Sequence, residues 1–73
     1  MNTTRYGIIG CGSMGREHIE NIKAMGGACV TALADTHGPS LQTALALIDP
    51  GPAVFSDHCE LLASGLCDAV VIA

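Results

Sequence analysis

A glycine-rich turn near the start of the chain is typical of phosphate binding. Its residues are, in order, Gly10, Cys11, Gly12, Ser13, Met14 and Gly15, a G-x-G-x-x-G pattern between an apolar run and a helical pattern. In that setting the first glycine permits a tight turn, the second lets a pyrophosphate approach the backbone, and the third lets the helix pack closely. Free amides near Ser13 and Met14 would donate to phosphate oxygens, and the helix dipole favours the negative charge. The motif therefore predicts a pyrophosphate site.

One carboxylate makes the glycine pattern more specific. Asp35 ends the second predicted strand, about 20 residues after Gly15, where it can accept hydrogen bonds from both hydroxyls of an adenosine ribose. The same charge repels a 2′-phosphate, and no arginine follows it to bind one. The predicted cofactor is therefore NAD, in preference to NADP. The alternatives are a structural turn without a ligand, a solvated Asp35, and a Ser13 that acts as a helix cap.

The cysteines show no C-x-x-C pair and no spacing typical of zinc ligands: they are Cys11, Cys29, Cys59 and Cys67. We expect reduced thiols, with Cys29 and Cys67 as small buried hydrophobic residues. Cys11 is either a redox-sensitive thiol beside the phosphate or a filler between two glycines. A metal site at His58-Cys59 is not predicted, because no matching ligands lie nearby in the sequence. We expect His18 to pack in the core, and His37 and His58 to face solvent.

Composition excludes several classes of partner. With 73 residues the chain is at most one small domain, and its three basic residues against seven acidic ones give a net charge of −4. A nucleic-acid partner is therefore excluded, and no apolar run is long enough to predict a membrane span. The Ile8–Cys11 stretch resembles a lipoprotein cleavage box, but it lacks the charged start and apolar run of a signal peptide, so we expect a cytoplasmic protein.

Hydrophobic periodicity predicts four strands alternating with three helices. The predicted strands are residues 6–9, 29–34, 53–55 and 69–73. The first helix begins after Ser13 and ends at Gly26-Gly27, with an apolar stripe of Met14, His18, Ile19, Ile22 and Met25 and with Glu20 one turn from Arg16. A turn over 36–40 precedes a second helix that carries Leu41, Ala44, Leu45 and Ile48 and breaks at residues 49–52. Asp57 and Glu60 form a capping box for a short third helix.

This order predicts an α/β fold: a Rossmann-type doubly wound parallel sheet, incomplete, with the pattern β-α-β-α-β-α-β and the strand order 3-2-1-4. The last strand would lie beside the first. Because its other edge would be apolar and unpaired, we expect the isolated chain to be molten or prone to aggregation.

Four segments resemble the Gfo/Idh/MocA family, which is named for glucose–fructose oxidoreductase and inositol dehydrogenase. They are YGIIGCGSMGREH at 6–18 followed by NI at 21–22, ALAD at 32–35, DHCELL at 57–62 and CDAVVIA at 67–73. The resemblance covers essentially the whole chain, and it keeps the order and spacing of the family. It is much more specific than the glycine motif alone.

The resemblance implies an NAD(P)-dependent oxidoreductase that acts on a sugar, a polyol or a similar hydroxyl or carbonyl compound, with a lysine assisting proton transfer. Residues 10–15, Cys11 included, would bind the pyrophosphate, Asp35 would bind the ribose, and Ala73 would lead into a loop beside the cofactor. We expect residues 1–73 to be a fragment, the N-terminal part of a dinucleotide-binding domain, with no catalytic residue of its own. The small-molecule substrate would bind only the full-length enzyme, which would be a homo-oligomer.

Two alternatives remain open at this point. One is a stand-alone, non-catalytic nucleotide-binding or redox-sensing module, which would need a finished sheet or an obligate partner. The other is a methyltransferase with a glycine-rich loop and an acidic ribose contact, a class that usually lacks the tight G-x-G-x-x-G turn followed by a helix.

Overall fold

Four parallel strands alternate with three helices in the computed structural model, which describes residues 3–48 and 51–73. The strands are β1 (Thr4–Ile9), β2 (Ala28–Ala34), β3 (Ala53–Phe55) and β4 (Ala69–Ile72). The helices are α1 (Ser13–Ala24), α2 (Gly38–Leu45) and α3 (His58–Ala63). The sheet order is β3-β2-β1-β4 with every neighbouring pair parallel, so the predicted Rossmann-type topology is confirmed.

Both faces of the sheet are covered, but unequally. The face under α1 and α2 holds the larger buried cluster, which consists of Ile8, Cys11, Ile19, Ile22, Val30, Leu33 and Ala44. The face under α3 buries only Ala32, Ala34 and Leu61. The core is aliphatic throughout, as small side chains on strands covered by helices require.

Strand β2 carries one residue more than β1 opposite it. Tyr6 pairs with Val30, whereas Gly7 pairs with Ala32, so Thr31 is a bulge. Side chains of a regular strand point alternately to the two faces of the sheet, so residues three apart face opposite sides. Because the bulge adds one residue between them, Val30 and Leu33 face the same side and join the same cluster. The Thr31 hydroxyl donates to the Leu66 carbonyl at 2.7 Å and so ties β2 to the loop before β4.

The apolar stripe predicted for α1 is confirmed at Ile19 and Ile22 and wrong at Met14 and Met25. The buried positions are Gly15, Ile19 and Ile22, whereas Met14 is 61% exposed and Met25 is also exposed. Gly15 has no side chain, so α1 lies close to the end of β1, and the residues four and seven positions further on then face the sheet.

The ends of the two shorter helices follow from local chemistry. Helix α2 begins at Gly38, three residues before the predicted start, because Pro39 is compatible with a first helical turn, where its missing N–H is not needed. Asp57 caps α3 as predicted, since its side chain accepts from the Cys59 amide at 2.8 Å. Part of the predicted break after α2, residues 49 and 50, lies outside the described residues. The longest helix in the described ranges, α1, has 12 residues and is too short to cross a bilayer.

Candidate dinucleotide-binding site

The glycine-rich loop joins the carboxyl end of β1 to the start of α1, and two of its glycines are required by geometry. Gly10 has a φ of 95°, and a Cβ there would lie 2.7 Å from the Ala73 carbonyl oxygen. A Cβ on Gly15 would overlap the Gly10 carbonyl oxygen, which is backbone and cannot move aside. The tight turn and the close helix packing expected of these two glycines are both present.

The middle of the loop is open to solvent. A Cβ on Gly12 would meet no atom within 4 Å, so the space in front of this residue is free for a ligand. Within the described ranges, the amides of Ser13 and Met14 donate no hydrogen bond, and the first helical bond runs from the Arg16 amide to the Gly12 carbonyl at 2.9 Å. Gly12 is the capping residue and Ser13 is already helical, so the alternative in which Ser13 caps the helix is wrong. Free amides in front of open space fit a pyrophosphate.

Asp35 faces this loop from the end of β2. Its two carboxylate oxygens accept from the Cys11 amide at 2.8 Å and from the His37 amide at 2.9 Å. The hydrogen bonds from His37 and then Cys11 hold the pKa of Asp35 below its ordinary value, so the group is ionised at neutral pH. Each oxygen keeps a lone pair for a further donor, such as a ribose hydroxyl.

A small cavity of about 180 Å³ lies beside Asp35 at the carboxyl ends of β1, β2 and β3. It is lined by Ile9, Gly10, Ala34, Asp35, Thr36, Ser56 and His58, without a lysine or arginine. Sites that enclose a whole ligand usually measure about 300–1,000 Å³, so this cavity would enclose only part of a dinucleotide. It lies at the carboxyl ends of the parallel strands, the edge of the sheet where ligands usually bind in open α/β folds.

A larger cavity lies at the opposite edge of the sheet. It measures about 620 Å³ and is lined mainly by apolar residues at the starts of β2 and β3. Lys23 is its only charged group, and the ammonium is already bound to the Leu47 carbonyl oxygen at 2.6 Å. Because it lacks free polar groups and lies at the amino ends of the strands, we do not assign the cofactor to it.

The side chain of Cys11 belongs to the core. Neither alternative from the sequence, a redox-sensitive thiol or a filler between two glycines, included this burial. The Cys11 side chain is fully buried, and its Sγ lies 3.6 Å from the Ala34 carbonyl oxygen. Burial, followed by the nearby Asp35 charge, raises the pKa of the Cys11 thiol, which disfavours the reactive thiolate. All four thiols are free in the structure. Cys29 and Cys67 are half-buried, so the prediction that they are fully buried is wrong.

The exposed histidines were placed correctly by the sequence. His37 and His58 face solvent, whereas His18, which was expected to pack in the core, is only half-buried on α1, so that prediction is wrong. Asp57, His58 and Cys59 bring three ligand-type atoms within 4.8 Å of one another, all exposed. Asp57 is already engaged in capping α3, and three consecutive surface residues fall short of the four ligands of a closed zinc site.

Arg16 was missed as a site residue. The sequence placed it on the solvated face of α1, one turn from Glu20. In the structure Arg16 Nη1 donates to the Cys11 carbonyl at 3.2 Å, while Glu20 lies 3.5 Å from Lys23. Helical spacing alone allowed both pairings. Only the path of the loop brings the Cys11 carbonyl within reach of Arg16.

The fold and the glycine-rich loop are those of the dinucleotide-binding Rossmann class. The sequence model of the Gfo/Idh/MocA oxidoreductases, described as an NAD-binding Rossmann fold, matches residues 4–73. The chain therefore belongs to the Gfo/Idh/MocA oxidoreductase family, as the resemblance implied.

Individual relatives agree with this membership. An inositol 2-dehydrogenase from Acidiphilium cryptum is 41% identical over 71 residues, which are 96% of this chain and 21% of that protein. Myo-inositol dehydrogenase from Lactobacillus casei, crystallised with NAD(H) and myo-inositol, superposes with a TM-score of 0.90 at 30% identity, over 97% of this chain and 21% of that one. The WlbA dehydrogenase from Bordetella pertussis, in complex with NADH and UDP-GlcNAcA, gives 0.87 at 34% identity, over 99% and 22%. The chain thus spans about a fifth of the length of these relatives.

Proposed function

We propose that this chain binds NAD(H) and forms the cofactor-binding part of an oxidoreductase acting on a sugar, a polyol or a related hydroxyl or carbonyl compound. The observation that carries the proposal is Asp35, whose carboxylate is held by the Cys11 and His37 amides beside the open glycine-rich loop. Family membership supports the choice of cofactor, because the family is described as NAD-binding.

Two parts of the dinucleotide, the pyrophosphate and the adenosine ribose, have matching groups in this proposal. The pyrophosphate meets the free amides of Ser13 and Met14 in front of Gly12, and Asp35 accepts from the adenosine ribose hydroxyls. Cys11 contributes through its backbone, and Gly10 and Gly15 give the loop its shape. Ala73 borders the loop, since its amide donates to the Ile9 carbonyl at 2.9 Å. When bound, the nicotinamide accepts or supplies the hydride.

Discrimination against NADP follows from charge. An ionised Asp35 repels a 2′-phosphate, and no basic residue lines the cavity beside it. The three basic residues of the chain are Arg5, Arg16 and Lys23, and none of them contacts Asp35 among the described residues.

We further propose that residues 1–73 contain no catalytic residue. The resemblance implies a lysine in proton transfer, and Lys23 is the only lysine of this chain. It lies near the carboxyl end of α1, with its Nζ bound to the Leu47 carbonyl at 2.6 Å, away from the glycine-rich loop. Proton transfer and substrate binding then belong to a longer protein of which this chain is the N-terminal part.

A cyclic polyol is the substrate class favoured for that protein, because the relatives from Acidiphilium cryptum and Lactobacillus casei are inositol dehydrogenases. A homo-oligomeric, cytosolic enzyme completes the proposal, and free thiols are consistent with a reducing compartment.

The test is calorimetric titration of NADH and NADPH into the wild-type chain, Asp35→Ala and the control Asp68→Ala, with folding checked by circular dichroism. Asp68 is a suitable control because its removal changes the charge equally at the other edge of the sheet, where it pairs with Arg5. We expect Asp35→Ala to weaken NADH binding by about tenfold or more, since hydrogen bonds to a charged group contribute about 1.5–3 kcal/mol each.

NADPH should bind the wild type poorly, and the preference for NADH should shrink in Asp35→Ala alone. A folded wild-type chain that binds neither nucleotide would overturn the proposal. An Asp35→Ala variant that binds NADH as well as Asp68→Ala does would remove Asp35 from the site.

A further inference from the structure

Arg16 differs from the other two basic side chains in its partners. Arg5 Nη2 lies 2.9 Å from Asp68 Oδ1, and Lys23 Nζ lies 3.5 Å from Glu20 Oε1. Arg16 makes no ion pair with a carboxylate in residues 3–48 and 51–73, although its side chain is half-buried. A cation that is partly withdrawn from water without a counter-ion is unfavourable unless something else compensates it.

The position of Arg16 is set by the glycine-rich loop. Its Nη1 donates to the Cys11 carbonyl at 3.2 Å, and its amide makes the first helical bond, to the Gly12 carbonyl at 2.9 Å. A guanidinium has five N–H donors in a fixed plane, so this contact leaves donors free on the same group. The group is therefore anchored to the glycine-rich loop at the Cys11 carbonyl.

The first turn of α1 carries a basic side chain and no acidic one. The first turn of a helix has a partial positive charge, which favours acidic residues and disfavours basic ones. Helix α1 has no acidic residue in its first turn, and Arg16 adds a full positive charge there. The Asp35 carboxylate also lies at this loop, where it accepts from the Cys11 amide, but it forms no ion pair with Arg16 among the described residues, so Arg16 remains available to a bound anion.

We propose that Arg16 is a positioning residue of the dinucleotide site: it fixes the Cys11 carbonyl, and hence the loop, and its charge attracts the pyrophosphate. This inference rests on the proposed function and assigns a cation to a site otherwise built from backbone amides. Its contribution should depend on the charge of the ligand and be independent of the adenosine part, which Asp35 binds.

The experiment titrates ADP-ribose and adenosine into the wild-type chain, Arg16→Gln, Arg16→Lys and the control Arg5→Gln, at about 0.05 and about 0.5 M KCl. Arg5→Gln removes the same charge at the amino end of β1. We expect Arg16→Gln to weaken ADP-ribose binding by about tenfold at low salt, to leave adenosine binding unchanged, and to reduce the salt dependence of ADP-ribose binding. Arg16→Lys should recover most of the affinity, because a lysine keeps the charge.

Three results would overturn the inference. If Arg16→Gln binds ADP-ribose like Arg5→Gln, Arg16 has no role in the site. If it weakens adenosine and ADP-ribose equally, or if Arg16→Lys is as weak as Arg16→Gln, the residue acts only on loop structure. A folded wild-type chain that binds neither ligand overturns the proposed function itself, a result distinct from the other two.

Discussion

Two regions of the sheet differ in burial and in hydrogen bonding: the carboxyl ends of β1 and β2, and the outer edge of β4. At the first, Ile8 and Leu33 are fully buried and the Asp35 carboxylate is held by two backbone amides. At the second, Ile72 is 78% exposed, and the outer edge of β4 pairs with no strand among the described residues. The cofactor end is therefore preformed by local packing, whereas the β4 edge leaves apolar side chains and backbone groups free. Binding and stability should respond differently to changes in the two regions.

The largest effect is expected where the loop meets the helix. Gly15→Ala forces a methyl group onto the Gly10 carbonyl oxygen and should lower the free energy of unfolding by about 3 kcal/mol or more, a large share for a small domain. Gly12→Ala is the matched control, because its methyl group would enter open space and its φ of −70° suits alanine.

Urea denaturation should therefore show a large loss for Gly15→Ala and little change for Gly12→Ala, whereas NADH titration should show Gly12→Ala weakened by about tenfold. Equal stability of the two variants would contradict the close helix packing. Unchanged NADH affinity in Gly12→Ala would contradict the placement of the pyrophosphate.

An intermediate effect is expected for acid stability. Because the pKa of Asp35 is lowered in the folded chain, its ionised form stabilises the fold above about pH 4, and this contribution is lost as the pH falls through the lowered value. Asp35→Asn should therefore flatten the decline in the free energy of unfolding between about pH 6 and about pH 3. An asparagine has only one acceptor oxygen for the two amides that Asp35 binds.

Asp68→Asn is the control for that profile. The pKa of Asp68 is also lowered, first by the Arg5 side chain, so it too should flatten the decline. Because this pair is exposed, its effect should shrink between about 0.05 and about 0.5 M KCl, whereas the effect of Asp35→Asn should persist. If salt reduces both effects equally, the amide contacts of Asp35 do not control its titration.

The sequence predicted the strand order and Asp35 because both follow from strong local signals. Short apolar runs separated by helical patterns leave few topologies for a parallel sheet, and the spacing from Gly15 to Asp35 is typical of one cofactor class. Thr31 and Arg16 could not be predicted in the same way. The bulge at Thr31 depends on pairing with β1, and the Arg16 contact depends on how the loop turns after Gly10.

The burial of Cys11 was also out of reach of the sequence. A cysteine between two glycines carries no periodic signal, and only the packing of α1 against β1 shows that its side chain points inward. The same packing leaves Met14 and Met25 exposed, contrary to the predicted stripe. Sequence patterns thus predicted the elements and the position of Asp35 directly after β2, whereas contacts between elements decided the detailed geometry of the loop.

The smallest effect on stability, and the sharpest test of the β4 edge, is expected for Ile72→Lys. The Ile72 side chain is largely exposed, so a lysine should change the melting temperature little, while a charge on an open edge should reduce self-association. Sedimentation velocity would measure the association, and Leu62→Lys is the control, because Leu62 is 56% exposed on α3, away from the edge. Val71→Lys, which puts a charge on a half-buried neighbour that packs against the α1 and α2 cluster, should unfold the chain instead.

If Leu62→Lys reduces association as much as Ile72→Lys, general surface hydrophobicity and not the strand edge drives it. If the wild-type chain is monomeric and unfolds cooperatively, the exposed β4 edge causes neither self-association nor a molten state.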